Sequence, residues 1–137
     1  MTDRPLVVFA CVHNAGRSQM TAALFNQMVD PSRARAISAG TRPGTRVHPN
    51  VVAAMHEVGI DLTAVKPQLL TTDLAGGATL LVTMGCVEEC PTLPDVGRDD
   101  WPLDDPATLP IEGVRVVRDE IRRRVSRLLE SRGWCLG

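Results

Sequence analysis

The sequence predicts an α/β fold: three layers, α/β/α, around a central four-stranded parallel sheet. Three observations lead there. Pro5 to Ala10 and Ala78 to Met84 are short, mostly apolar runs of the kind that form strands buried on both faces. Stretches of helical periodicity separate the strands, which implies crossovers, parallel pairing and helices on both sides of the sheet. Chemically distinctive segments follow the first, third and fourth strands, and sites in such sheets lie at the carboxyl ends of strands.

Taken in order, Pro5 to Ala10 is the first strand. From Ser18 the pattern turns helical, with Met20, Leu24 and Met28 at spacing four, until Asp30-Pro31 stops it. Arg35 to Ala39 is a second short strand, closed by Gly40. Thr41 to Pro49 is a loop carrying Pro43, Gly44 and Pro49. It leads into a helix of about ten residues with Val51, Val52, Met55 and Val58 inside and Gly59 at its end. Asp73 to Gly77 is a helical turn before the third strand, Ala78 to Met84. A brief fourth strand lies around Trp101. Val114, Val117, Ile121, Val125 and Leu128 mark a terminal helix whose arginine-rich outer face is solvated. No repeat, low-complexity tract or linker interrupts the pattern, so residues 1–137 are expected to form a single domain.

A chain of 137 residues can bury a proper core without disulfide staples, and 44% apolar with 23% charged residues is ordinary for a soluble globular protein. The net charge of -1 argues against nucleic acid or an anionic membrane as a general partner. The apolar runs are too short to span a bilayer, and Leu6 to Ala10 is too short for a signal-peptide core. The expected location is the cytoplasm, where thiols stay reduced. Four cysteines there point to redox or nucleophilic chemistry rather than a scaffold.

The most informative stretch is Cys11-Val12-His13-Asn14-Ala15-Gly16-Arg17-Ser18. A strand that ends in a thiol and turns tightly into a helix aims successive backbone N–H groups at one point, and the helix dipole adds to the positive potential there. Such a concavity binds a tetrahedral oxyanion, which Arg17 can clamp as a planar fork. The loop thus brings its nucleophile, Cys11, and its anion site together. Asn14 and Gly16 tolerate the left-handed backbone angles such a loop needs. The candidate oxyanion site is Val12, His13, Asn14, Ala15, Gly16, Arg17 and Ser18, with His13 acting through its backbone rather than its ring. A buried inert cysteine beside a surface arginine is the plain alternative, and it leaves Asn14, Gly16 and Ser18 unexplained.

Cys86-Val87-Glu88-Glu89-Cys90-Pro91 carries two thiols four positions apart, which share a face on a helical turn. That spacing is at the edge of disulfide reach on a regular helix, and Pro91 and Pro94 make the turn easy to unwind. The pair suits a thiol relay. A zinc half-site or two bystander thiols are the other readings, but zinc needs further ligands, and only Cys135 and three scattered histidines remain. No metal site is therefore expected. Cys86, directly after the third strand, is expected beside the anion loop, and Cys90 a helical turn outward, within reach of a protein reductant. Asp105, directly before Pro106, is the candidate general acid across the anion from Cys11. Its alternative is an ordinary turn aspartate. His48 and His56 read as loop and helix-surface residues.

These segments resemble the thioredoxin-coupled arsenate reductases built on the low-molecular-weight tyrosine phosphatase fold. The likeness runs through Cys11 to Met20, Ser38-Ala39-Gly40-Thr41, Gly59-Ile60-Asp61, Val82-Thr83-Met84, Trp101 to Asp105-Pro106 and Arg115 to Ile121. The resemblance implies Cys11 as nucleophile, Arg17 as oxyanion clamp, Ser18 as hydrogen-bond partner of the Cys11 sulfur and Asn14 as a brace. It implies Cys86 as the resolving thiol, Cys90 as its partner and Asp105 as the general acid. Two departures stand out: the Cys86–Cys90 spacing is shorter than in the best-known members, and Ala22 replaces a glutamate that in some members helps bind potassium. No potassium site of that kind, and no cofactor, is expected.

The implied reaction converts arsenate to arsenite through a Cys11–Cys86–Cys90 disulfide relay, re-reduced by thioredoxin in a monomeric enzyme, with phosphate or sulfate as substrate mimics. Two rivals come from other classes. A small phosphatase acting on phosphomonoesters needs only Cys11, Arg17 and Asp105, but Pro106-Ala107-Thr108 lacks the aromatics that would hold a phenyl ring. A non-catalytic arsenite- or metal-binding thiol protein would not need an oxyanion loop with a preset arginine.

Overall fold

β1 (Leu6–Cys11) is the spine of the sheet, and all six of its residues are buried. Side chains alternate across a strand, so its odd and even positions serve two cores. Val7, Phe9 and Cys11 face one cluster; Leu6, Val8 and Ala10 face the other. The computed structural model describes residues 4–85, 90 and 93–136. In it, β2 (Arg35–Gly40), β3 (Leu80–Thr83) and β4 (Gly97–Asp100) complete a parallel four-stranded sheet in the order β2-β1-β3-β4. The α/β class and the four parallel strands expected from the sequence are both present.

The described residues form a larger core on one face and a smaller one on the other. α1 (Arg17–Met28), α2 (Pro49–His56) and α4 (Ile111–Arg132) build the larger core with Phe9 at its centre. The Phe9 ring lies 5.8 Å from that of Phe25 and 5.6 Å from Trp101, both at the tilted angles aromatic pairs prefer. Each large side chain buried here contributes roughly 1.5–3 kcal/mol relative to exposure. Among the described residues, the opposite face carries the short α3 (Thr72–Gly76) and neighbouring loops, through Leu70, Ala75 and Ala78.

Several boundaries move by a residue or two for identifiable reasons. α1 begins at Arg17 rather than Ser18, so its first turn opens directly from the Cys11 loop. α2 ends at His56, and Gly59, at φ 81°, takes the left-handed position beyond it. β4 ends just before Trp101. Its Gly-Arg-Asp-Asp sequence has no apolar pattern because it is an edge strand with little to bury, and only Trp101 turns back into the core. In α4 the buried series ends at Leu129, not Leu128, because a four-residue step from Val125 keeps the same face inward. Among the described residues no helix is long and apolar enough to cross a membrane.

The arginine-rich face of α4 is partly committed to α2. Glu57 accepts hydrogen bonds from Arg115 at 3.0 and 2.7 Å and from Arg118 at 2.8 Å, and Arg118 also donates to the Ala54 carbonyl. Those bonds, from Arg115 first and Arg118 second, hold the Glu57 carboxyl down at about 2 instead of 4.5. A carboxyl lowered on folding stabilises the native state above its unfolded value, and the effect fades as pH falls toward the folded value. Glu57→Gln is therefore expected to be less stable than wild type at neutral pH, with the gap closing between pH 4.5 and about 2. Urea unfolding across that window checks it. A gap that stays constant into acid would show that the ion pairs add nothing.

Candidate active site

The Cys11 loop is built by a division of labour between carbonyls and amides. The carbonyls of Cys11, Val12, His13 and Ala15 accept from the N–H groups of Thr41, Arg42, Gly44 and His48 at 2.8–3.2 Å. With its oxygens tied to the following loop, the stretch turns its amides the other way. Among the described residues, no main-chain carbonyl takes the N–H groups of Val12 to Gly16. α1 has no side-chain cap and no acidic residue in its first turn, so its open N-terminus adds to the same positive concavity.

The side chains beneath the loop form a directed chain. Asn14 is fully buried at φ 52°, a left-handed conformation that asparagine accepts better than most residues. Its Oδ1 accepts from the Gln68 backbone N–H and from Gln19 Nε2, both at 3.0 Å. A backbone N–H can only donate, so the Asn14 amide is fixed with Nδ2 toward Ser18 Oγ, 2.8 Å away. Ser18 Oγ lies 2.8 Å from Cys11 Sγ, leaving its own proton available to a charged sulfur.

Gly40 makes room for this loop. It pairs with Cys11 across β1 and β2, and a Cβ there would sit 2.6 Å from the Val12 carbonyl oxygen and 2.9 Å from the Asn14 nitrogen.

Arg17 closes the site from the α1 side. Its side chain is mostly buried, with Nη1 donating to the Leu103 carbonyl at 3.1 Å and Nη2 lying 3.8 Å from Asp105 Oδ2. Gly85, at φ 90°, passes so close that a Cβ would lie 2.8 Å from Nη1. Asp105 itself is exposed, and its Oδ1 caps the 3-10 turn at Pro106–Thr108 by accepting from the Ala107 N–H. Of the two adjacent carboxylates, Asp105 is the one that approaches Arg17.

The sequence-predicted residues thus divide. Cys11, Asn14, Arg17, Ser18 and Asp105 meet at the carboxyl end of the sheet, and His13 is exposed while its carbonyl is tied to Gly44. Cys86 lies outside the described residues. Cys90 is disulfide-bonded, and it is 7% exposed, packed in the smaller core with Leu70 and Leu81 rather than turned outward as expected. Cys90 turns inward because it fills part of that smaller core. Cys11 and Cys135 are free thiols, and Cys135 is exposed on the bridge to Val29. Gln19, Gly40 and Gln68 escaped the sequence reading as site residues. Only the Gly40 segment left a signal, through the Ser38-Ala39-Gly40-Thr41 run.

Comparison with known proteins agrees with this geometry. Residues 6–132 match the low molecular weight phosphotyrosine protein phosphatase family. An arsenate reductase of Bacillus cereus is 35% identical over 133 residues, covering 95% of this chain and 98% of that protein. A thioredoxin-dependent arsenate reductase of Corynebacterium glutamicum superposes with a TM-score of 0.81 at 34% identity, over 95% of this chain and 62% of the other. The chain therefore spans less than two thirds of that protein's length. An arginine phosphatase from Geobacillus stearothermophilus superposes at 0.79 with 26% identity, covering 93% of this chain and 92% of that one. The match extends from β1 to the end of α4 and contains the whole anion loop, so the chain belongs to the low molecular weight phosphotyrosine protein phosphatase family.

Proposed function

We propose that this chain is an arsenate reductase in which Cys11 is the nucleophile and Cys90 belongs to the disulfide that completes each turnover. One observation carries the reading: Cys11 is a free thiol beneath the anion loop while Cys90 is disulfide-bonded. Phosphoryl transfer moves no electrons, so a phosphatase has no use for a late redox pair.

In the first step the Cys11 sulfur attacks arsenic, an S–As bond forms, and one oxygen leaves as water with a proton from Asp105. The amides of Val12 to Gly16 and the Arg17 guanidinium hold the remaining oxygens as charge builds on them. In the second, Cys86 attacks the Cys11 sulfur; the S–As electron pair passes to arsenic, which leaves as arsenite, and a Cys11–Cys86 bond remains. In the third, Cys90 attacks Cys86, frees Cys11, and leaves Cys86–Cys90 for an external dithiol to reduce. The thioredoxin dependence of the Corynebacterium glutamicum relative supports thioredoxin as that dithiol. Because each cycle starts from a free Cys11 thiol, the reading takes the enzyme as working in a reducing, cytoplasmic environment.

The aromatic inventory supports arsenate over an aryl phosphate. All four phenylalanine and tryptophan side chains, Phe9, Phe25, Trp101 and Trp134, are buried in the core, and the chain has no tyrosine, leaving none of these to stack on a substrate's phenyl group. Pure protein supplied with arsenate, thioredoxin, thioredoxin reductase and NADPH is expected to oxidise NADPH and release arsenite in equal amounts. Hydrolysis of an aryl phosphate without arsenate-dependent NADPH oxidation would replace this reading with the phosphatase one.

A further inference from the structure

We propose that Asn50, in the first turn of α2, is the positioning residue that holds Asp105 against the anion loop. The inference rests on the reading of Asp105 as the general acid. An exposed aspartate on an irregular segment needs external support, because general-acid catalysis requires the proton within hydrogen-bond reach of the departing oxygen. The turn that follows Asp105 is a single three-residue helix, and the carboxylate is oriented by capping it.

Asn50 grips that turn at both ends. Its Nδ2 donates to the Pro106 carbonyl at 2.8 Å and to the Leu109 carbonyl at 3.0 Å, contacts that bridge 56 and 59 residues of sequence. Its Oδ1 accepts from the Val51 N–H at 2.9 Å. Since that N–H can only donate, the amide cannot turn over, and both Nδ2 hydrogens must face the acid turn. The upstream side of Asp105 is held by Arg17 through the Leu103 carbonyl. Asp105 is thus suspended between an anchor on the anion loop's arginine and an anchor on α2.

The same end of α2 grips the nucleophile loop. The His48 N–H donates to the Ala15 carbonyl at 2.9 Å. Pro106 in turn packs on Gly16, where a Cβ would come within 3.0 Å of its Cγ. Residues 48 to 50 therefore act as a spacer that fixes the acid turn relative to the Cys11 loop. No periodicity or motif in the sequence links Asn50 to Asp105; only the fold brings them together.

The test compares single-turnover arsenite formation at saturating arsenate in the full-length enzyme, with protection of Cys11 from iodoacetamide by phosphate as a second readout. Asn50→Ala is expected to slow the first about ten-fold and leave the second unchanged, since the acid is displaced and the anion loop is not. Asn50→Asp keeps the acceptor for Val51 but has no N–H to give the turn, so it should be slowed as well. It supplies the comparison if the alanine variant fails to fold. In an Asp105→Asn background, Asn50→Ala should slow the enzyme no further, which a general loss of structure would not reproduce. Additive slowing, a wild-type rate in either Asn50 variant, or lost phosphate protection would overturn the role of Asn50. A wild-type rate in Asp105→Asn alone would overturn the general-acid reading on which it rests.

Discussion

A Cys90→Ser enzyme is expected to complete about one turnover and then stop, with Cys11 locked to Cys86. Without Cys90 no internal thiol resolves that bond, because the remaining cysteine, Cys135, is tied by its backbone to Val29 at the end of α1, opposite the end that carries the site. Cys86→Ser should fail one step earlier: Cys11 still attacks arsenate, but no internal disulfide forms and arsenite is not released. Mass mapping of disulfides after a single arsenate pulse distinguishes the two states. Full multiple turnover with thioredoxin in both variants would sink the three-thiol relay and point to a small-thiol reductant. Finding Cys135 in the trapped bond would make the C-terminal tail the resolver. The burial of Cys90 among Leu70 and Leu81 adds a corollary. In this oxidised state Cys90 is shielded, so an external dithiol that attacks the Cys90 sulfur reaches it only when Cys90 comes away from that face.

Much of this site is legible in the sequence because its central residues are consecutive. Cys11 to Ser18 form one loop, and the strand before it announces itself by being apolar at every position, as only a strand buried on both faces is. What was not legible lies across the fold. Gln68 reaches Asn14 over 54 residues, from a loop with no period to reveal which way it faces. Asn50 is likewise a polar residue at a helix start, where an unremarkable capping role is the simplest reading. β4 was found only through Trp101, because an exposed edge strand of glycine, arginine and two aspartates carries no hydrophobic signal of its own. The inward placement of Cys90 is hidden from the sequence for a related reason. A helical-turn reading of its segment could not include the core face that Leu70 and Ala75 share with it.

Gly40→Ala should cripple oxyanion binding while leaving the sheet folded. The added methyl would meet the Val12 oxygen at 2.6 Å and the Asn14 nitrogen at 2.9 Å, both main-chain atoms with no flexible end to swing aside. Nor can Gly40 retreat. Its N–H donates to the Gln68 carbonyl and its carbonyl accepts from the Leu70 N–H, at 2.9 and 2.8 Å, and it is in register with Cys11 in the sheet. The anion loop is the element that must yield, and moving Asn14 also disturbs the Asn14–Ser18–Cys11 chain. Losing the aim of several N–H donors together is expected to lower kcat/KM for arsenate by about 100-fold or more, with phosphate protection of Cys11 falling in parallel. Gly76→Ala is the matched control, since a Cβ there meets nothing within 4 Å and lies on α3, away from the loop. Both variants should melt cooperatively, so that a folded Gly40→Ala protein with wild-type protection would mean the loop does not depend on this close approach.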